Sequence, residues 1–578
     1  MSLARSASAS FAAILSLALP LGSANCHASS SPTSPAPSAS LAPGAYPWIP
    51  DQGDGTYRNP VLLADYSDPD VLRVGEQYYL TSSSFHLTPG LPILRSRDLV
   101  NWTIVGHALE NLPDRRYQEV QPGAGVWAPS LRQHDGTFYI FAPLPDEGIY
   151  VLTARNPEGP WSEPQLLIAG KGLIDPCPLW DDDGKAYLVH AYARSRAGIK
   201  DRLRVLPMAP DASHVLGEGR IVFQDPARHP TLEGPKFYKI NGWYYILAPA
   251  GGVVKGWQVA LRAREVYGPY EDRVVLEQGN TSINGPHQGA LVDTAAGSWW
   301  FVHFQDAGVY GRIVHLNPVT WEGDWPLLGT PGEAGKREPV LAYRKPIDGR
   351  LPPEIPATSD EFENPKASGP DASGARLSGP DASGARLGLQ WQWYANHDDA
   401  WFSLDARPGY LRLFPRVMSK LDFARAPNLL LQKLPARSFV AETSVELTDP
   451  MAKSRAGLVV IGESHAALAV QRTKDGPMLA LFVDNEIVGE HRIADGPVRL
   501  FVSLAEGGGC RFFYQAAGDA DVTLAGSFQA RAGRWIGAHV GLFAIGEPPM
   551  MPGAYADFAY FRFHPPAVMG QNPRPSPR

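Results

Sequence analysis

A turn glycine, followed three residues later by an aromatic that opens an apolar strand, occurs five times between residues 57 and 325. The pairs are Gly75–Tyr78, Gly136–Tyr139, Gly184–Tyr187, Gly242–Tyr245 and Gly297–Trp300, with glycines 61, 48, 58 and 55 residues apart. A period of roughly 50 residues with turn–strand signals marks a β-propeller of about four strands per blade. Five units predict five blades. Composition agrees: 57 Gly and 55 Pro argue against a helical protein, while 15 Trp, 22 Tyr and 22 Phe suit strands. The 578 residues exceed one ordinary domain, and a hydrophobic share of 44% excludes wholesale disorder.

The texture changes after residue 326. Residues 327–357 read as a Pro/Gly-rich connector. From 358 to 567, runs such as SFVAETSVEL, RAGLVVIG, VRLFVSL and YADFAYFRFH alternate with period two and predict a β-sandwich. The expected class is therefore all-β, a five-bladed propeller over 51–326 followed by a sandwich. Residues 368–377 and 378–387 are both SGPDASGARL, a duplication read as an exposed loop without chemistry. The tryptophan-rich stretch 389–401 (LQWQWYANHDDAW) offers sugar stacking or inter-domain packing, and packing is the default reading. Residues 568–578 read as a disordered tail.

Residues 1–28 read as a secretory signal: Arg5, then the apolar Phe11–Leu21, then cleavage after Ala24 or Ala28. A Ser/Pro/Ala linker follows over 29–50. Asn25 fits a lipid anchor on Cys26 badly, and no later run reaches ~18 apolar residues. The expected location is secreted or periplasmic, with no membrane anchor. Loss of Cys26 leaves Cys177 and Cys510 in separate domains, both expected to stay free. A net charge of −7 and the lack of a basic run make nucleic acid and anionic membranes poor partners, and none is expected.

A propeller places the first strand of each blade along a central channel. Counting back from the five glycines gives Asp68 at −7, Trp127, Asp175 and Glu233 at −9, and His287 at −10. Each has a bland reading. Asp68 and Asp175 precede proline, a common turn element. Glu233 could be rim charge, His287 a core histidine and Trp127 packing. Three carboxylates meeting in one cavity are costly unless used, so the shared register favours a site. Three carboxylates with aromatic walls suit glycoside hydrolysis: one acid protonates the leaving oxygen, and one carboxylate activates water or attacks the anomeric carbon. A third, ionised nearby, keeps the acid protonated by like-charge repulsion.

The stretches YRNPVLLADYSDPDVLRVGEQYYLTSSSF, GVWAPSLRQHDGTFYIF, IDPCPLWDDDGKAYLVHA, LEGPKFYKINGWYYIL and GPHQGALVD resemble glycoside hydrolase family 43 in its β-xylosidase and α-L-arabinofuranosidase branch. The resemblance implies a five-bladed propeller, an inverting mechanism and no required cofactor. It implies Asp68 as general base, Glu233 as general acid and Asp175 as the residue that modulates the acid's pKa and orients it. Asp70 competes with Asp68, and motif and register favour Asp68. An inverting pair should stand about 6.5–9.5 Å apart. Trp127 and Phe85 would wall the sugar subsite, and Arg312 would hold sugar hydroxyls. His287 is expected among the sugar contacts and lies where some relatives hold calcium, so an ion there stays open. The second region resembles the concanavalin A-like jelly roll of these enzymes. There one loop closes the far end of the pocket, here Arg531–Val540 with Trp535 at its tip.

The substrates implied are xylo- or arabino-oligosaccharides, cut from chain ends to release β-D-xylose or α-L-arabinofuranose. An arabinanase-like enzyme, a retaining fructan or sucrose hydrolase and a non-catalytic carbohydrate-binding propeller are the rivals.

Overall fold

The computed structural model describes residues 43–347, 349, 351–363, 386–549 and 552–566. The signal segment, most of the linker, the duplicated decapeptide up to residue 385 and the tail lie outside them.

Each glycine–aromatic unit forms the hairpin between the first two strands of a blade. All five turn glycines have positive φ, from 61° to 83°, which a side chain would resist. The first blade runs Asp70–Val74, Gln77–Thr81, Gly90–Ser96 and Trp102–Leu109. The second runs Ser130–His134, Thr137–Leu144, Gly148–Ala154 and Gln165–Ala169. The third runs Leu173–Trp180, Ala186–Tyr192, Leu203–Met208 and Arg220–Phe223. The fourth runs Lys236–Ile240, Trp243–Ala250, Trp257–Ala263 and Glu271–Leu276. The fifth runs Gly289–Asp293, Trp299–Asp306, Arg312–Glu322 and Trp325–Leu328. Every blade is an antiparallel meander in sequence order.

The ring is sealed from its N-terminal side. In the last blade, Trp325–Leu328 pairs only with residues 319–322 of the long third strand, leaving the start of that strand uncovered. Residues 59–62 fill the gap. Val61 N donates to Val314 O at 2.8 Å and Val314 N to Leu62 O at 3.0 Å. The Asn59 amide bonds the Leu316 carbonyl and N–H at 2.8 and 2.9 Å. Arg73 of the first blade also grips Asp293 of the last with two bonds, 3.0 and 2.8 Å.

The C-terminal region packs two sheets face to face. Among the described residues one sheet carries, in order, Gln392–Trp393, Leu430–Lys433, His539–Gly546, Ser454–Ile461, His465–Thr473, Gly476–Val483 and Glu486–Arg492. The other carries Phe402–Ser403, Leu411–Leu413, Tyr555–His564, Phe439–Thr448, Val498–Leu504, Gly509–Gln515 and Thr523–Gln529. Inward residues such as Phe439, Leu458, Leu500, Phe512 and Phe558 form the core, as period-two alternation requires. The outer face of the first sheet, through Leu431, Val459 and Phe543, clusters with Phe85 and Leu87 of the propeller. The tryptophan-rich stretch is packing: Trp391 and Trp393 are buried, and Trp393 exchanges backbone bonds with Thr88 at 3.0 and 2.5 Å. Cys177 and Cys510 are free and buried.

Candidate active site

The first strands of the blades pack against one another around the axis. Asp68, Trp127, Glu233 and His287 lie just before the first strands of their blades, and Asp175 lies within Leu173–Trp180. Pairing of that strand shifts register between Ile174 and Cys177, a bulge at Asp175–Pro176. A bulge re-aims a side chain out of the regular alternation. Asp68 and Asp175 have φ of 55° and 56°, Phe85 53° and Trp535 68°. Positive φ is uncommon for aspartate and costly for bulky aromatics, and such strain collects at functional sites.

The three carboxylates have distinct surroundings. Asp68 Oδ2 accepts from the hydroxyls of Ser67 at 2.6 Å and Ser83 at 2.5 Å. Arg312 Nη1 stands 3.3 Å from both Asp68 oxygens and donates to Ser67 Oγ at 2.8 Å. Asp175 is buried and accepts from Gly234 N–H at 2.7 Å. Burial pushes its carboxyl well above the ordinary aspartate range, and the charges of Glu233 and Asp68 push it the same way. Glu233 is the solvent-facing member, its side chain 30% exposed. An acid that must reach a leaving group needs that access.

His287 is 1% exposed, too buried to be the sugar contact expected of it. Its Nε2 instead lies 3.1 Å from Glu233 Oε1, and its ring tilts against Phe304 at 5.3 Å. Phe85 is 2% exposed, so its ring backs Trp127 at 6.3 Å rather than forming an open wall. Trp127 is half-buried, with Nε1 donating to Gly123 O at 3.1 Å. Trp535 is 43% exposed, 6.4 Å from the Trp127 ring and 5.7 Å from the Arg312 guanidinium. The sandwich loop therefore reaches the mouth of the propeller channel. Contacts join Asp68, Arg312, Trp535, Trp127 and Phe85 in one chain and Glu233 with His287 in another, Phe304 packs against both Arg312 and His287, and Asp175 reaches the backbone beside Glu233.

Asp70 belongs elsewhere. It is fully buried, and Oδ2 accepts from Leu131 N and Arg132 Nη1, both at 2.7 Å. Lys236 Nζ lies 3.7 Å from Oδ1, and Arg132 also reaches Cys177 Sγ at 3.0 Å. With two cations beside it, Asp70 serves the fold. Sequence reasoning missed Ser67 and Ser83 as partners of Asp68. Their serines stand in YSDPD and SSSF, but only the fold shows that the second segment returns to the first.

A calcium ion at His287 would find few ligands. Nδ1 is buried without a partner, yet a hard divalent cation prefers six or more oxygens. Among the described residues no group of three or more His, Cys, Asp or Glu side chains could hold a metal. His287 would supply one nitrogen with water for the rest, and the chemistry below needs no ion.

Comparison with known proteins agrees with this geometry. Residues 57–326 match the model of glycosyl hydrolases family 43, and residues 382–564 match the β-xylosidase C-terminal concanavalin A-like domain. A putative β-xylosidase of Xylanibacter ruminicola is 38% identical over 498 residues, covering 85% of this chain and 86% of the relative. A non-reducing end α-L-arabinofuranosidase of Bacteroides ovatus is 30% identical, covering 70% of this chain and 73% of its own. The solved xylan β-1,4-xylosidase of Bacillus halodurans superposes with a TM-score of 0.74 at 26% identity, over 88% of this chain and 99% of that one. With five blades, a three-carboxylate channel mouth and a sandwich of matching kind, the chain belongs to glycoside hydrolase family 43.

Proposed function

We propose that this glycoside hydrolase is a secreted, inverting exo-enzyme that removes terminal β-D-xylose or α-L-arabinofuranose from xylo- or arabino-oligosaccharides. Residues 51–326 form its catalytic unit, 327–357 the connector and 358–567 the closing module. The observation that carries the reading is the division of three carboxylates into one exposed, one buried and one held by hydroxyls and an arginine.

Glu233 gives its proton to the glycosidic oxygen as the anomeric C–O bond breaks, and the bonding electrons leave with that oxygen. Asp68 takes a proton from a water on the opposite face, and the water oxygen bonds to the anomeric carbon. A separation of about 6.5–9.5 Å between the two carboxyls would admit that water. Asp175 orients the acid through its backbone link to Gly234 next to Glu233; because its own carboxyl is raised by burial and by the Glu233 charge, it modulates the acid by sharing the site's proton rather than as a permanently ionised neighbour. His287 fixes the acid's carboxyl. Trp127 and Trp535 flank the sugar, and Arg312 divides its donors between Asp68 and substrate hydroxyls. The Trp535 loop at the channel mouth favours single terminal sugars over an open arabinanase groove. Secretion rests on residues 1–28, and none of the described helices is long and apolar enough to cross a membrane.

The test is release of p-nitrophenol from the β-D-xylopyranoside and the α-L-arabinofuranoside, wild type beside Glu233→Ala. The reading expects turnover of at least one substrate and its loss in the variant on unactivated oligosaccharides. No release of either sugar, with glycan binding retained, would support the binding propeller instead.

A further inference from the structure

The turn that precedes Arg312 ties the sandwich to the propeller. Asp65 is buried, and its two carboxylate oxygens accept from two backbone N–H groups in different domains. Oδ1 takes Arg312 N and Oδ2 takes Gly537 N, both at 2.8 Å. Gly537 is two residues past Trp535, and Arg312 carries the guanidinium beside Asp68. Two glycines make the approach close enough. A Cβ on Gly311 would meet Asp65 Cγ at 2.4 Å, and one on Gly537 would meet Gly311 N at 2.7 Å. Around this clamp, Ala538 N donates to Val309 O at 2.8 Å, Tyr310 Oη to Arg437 O at 2.9 Å, and Gly507 N to Tyr310 Oη at 2.8 Å.

We infer that Asp65 is a positioning residue that sets Arg312 and the Trp535 loop in one register, so that the two domains jointly define how far a glycan can enter. The inference rests on the glycosidase reading above. A carboxylate offers one acceptor oxygen to each side, whereas an amide presents one oxygen and one NH₂. Asp65→Asn keeps the shape but turns a donor toward one of the two N–H groups. The other bonds around Tyr310 remain, so the sandwich stays docked while its loop loosens. Arg312 and Trp535 bind sugar and transfer no proton, so the loss falls on substrate holding and on end selection.

The experiment compares wild type, Asp65→Asn, Gly537→Ala and the double variant in the full chain. Gly537→Ala opens the same contact from the sandwich side and keeps the question answerable if Asp65→Asn folds poorly. Each single variant should raise KM about tenfold with kcat within about threefold, and the double should do little more, because both break one contact. Activity on branched or polymeric xylan should rise relative to the aryl glycosides. Trypsin should cut the loop faster at Arg531 and Arg534, which are exposed. Uniform loss of kcat on every substrate with unchanged loop cleavage would overturn the inference, as would wild-type KM in both single variants. Wild type inactive on all glycosides, even with faster loop cleavage in the variants, would instead sink the glycosidase reading beneath it.

Discussion

Asp68 and Asp70 stand two residues apart in one SDPD motif, and their surroundings differ completely. Asp70 is sealed and meets Arg132 and Lys236, two cations that are themselves almost wholly buried. Asp68 meets two hydroxyls and one arginine at the edge of the channel mouth. The difference teaches that two carboxylates of one motif are told apart by their charged surroundings, not by their presence on the axis. Around Asp70 two cations surround one carboxylate. Around Asp68 the carboxylates of Glu233 and Asp175 are close enough to act on one another, with Arg312 as the guanidinium among them.

Several variants would break or sharpen this contrast. The largest effect belongs to the carboxylates around Asp68: Glu233→Ala should lower kcat on xylobiose by about 10²–10⁴-fold, the usual worth of a positioned acid. A steady-state assay reads it, with little change expected in melting temperature. The next belongs to Asp70 and its two cations. Asp70→Ala leaves two buried cations uncompensated and should cost roughly 3–5 kcal/mol of stability, read by urea denaturation. Equal destabilisation by Asp68→Ala would erase the distinction.

Asp175 gives a prediction with a sign. Its carboxyl is raised by burial first and then by the Glu233 charge. The folded state therefore holds this proton more tightly than the unfolded chain. Its stabilising contribution is complete below the unfolded value of about 3.9 and is lost as pH rises toward the raised folded value. Asp175→Asn should thus melt higher than wild type at pH 7, with the gain vanishing near pH 4, while kcat falls. A melting series across pH checks it; a gain that persists unchanged at pH 4 would contradict the cause assigned. Smallest is Trp127→Ala, expected to raise KM several-fold by removing a stacking face of about 1 kcal/mol, with kcat nearly intact in the same assay.

The fold was legible because each blade repeats its own local signals. A glycine that must take positive φ and an aromatic that opens a buried strand recur in every blade, so Gly75 and Gly297 mark the same hairpin. The carboxylates were legible through the same register. Their partners were not, because nothing local links Ser83 to Asp68, or Asp65 to Gly537 across 472 residues. His287 and Phe85 show the further limit. Register put His287 at the axis and resemblance put Phe85 in the sugar subsite, but in the folded chain one ring meets the Glu233 carboxylate and the other backs Trp127. Motif and register favour Asp68 over Asp70 as the base, and the pair of cations beside Asp70 is visible only in the folded chain.

The most direct test of the central claim follows the anomer first released. Proton NMR during early turnover of a β-xyloside should show α-D-xylopyranose before mutarotation, as water attack under Asp68 with protonation by Glu233 requires. Initial release of the β-anomer would mean that a carboxylate attacks carbon directly, and the base-and-acid assignment of Asp68 and Glu233 would fail.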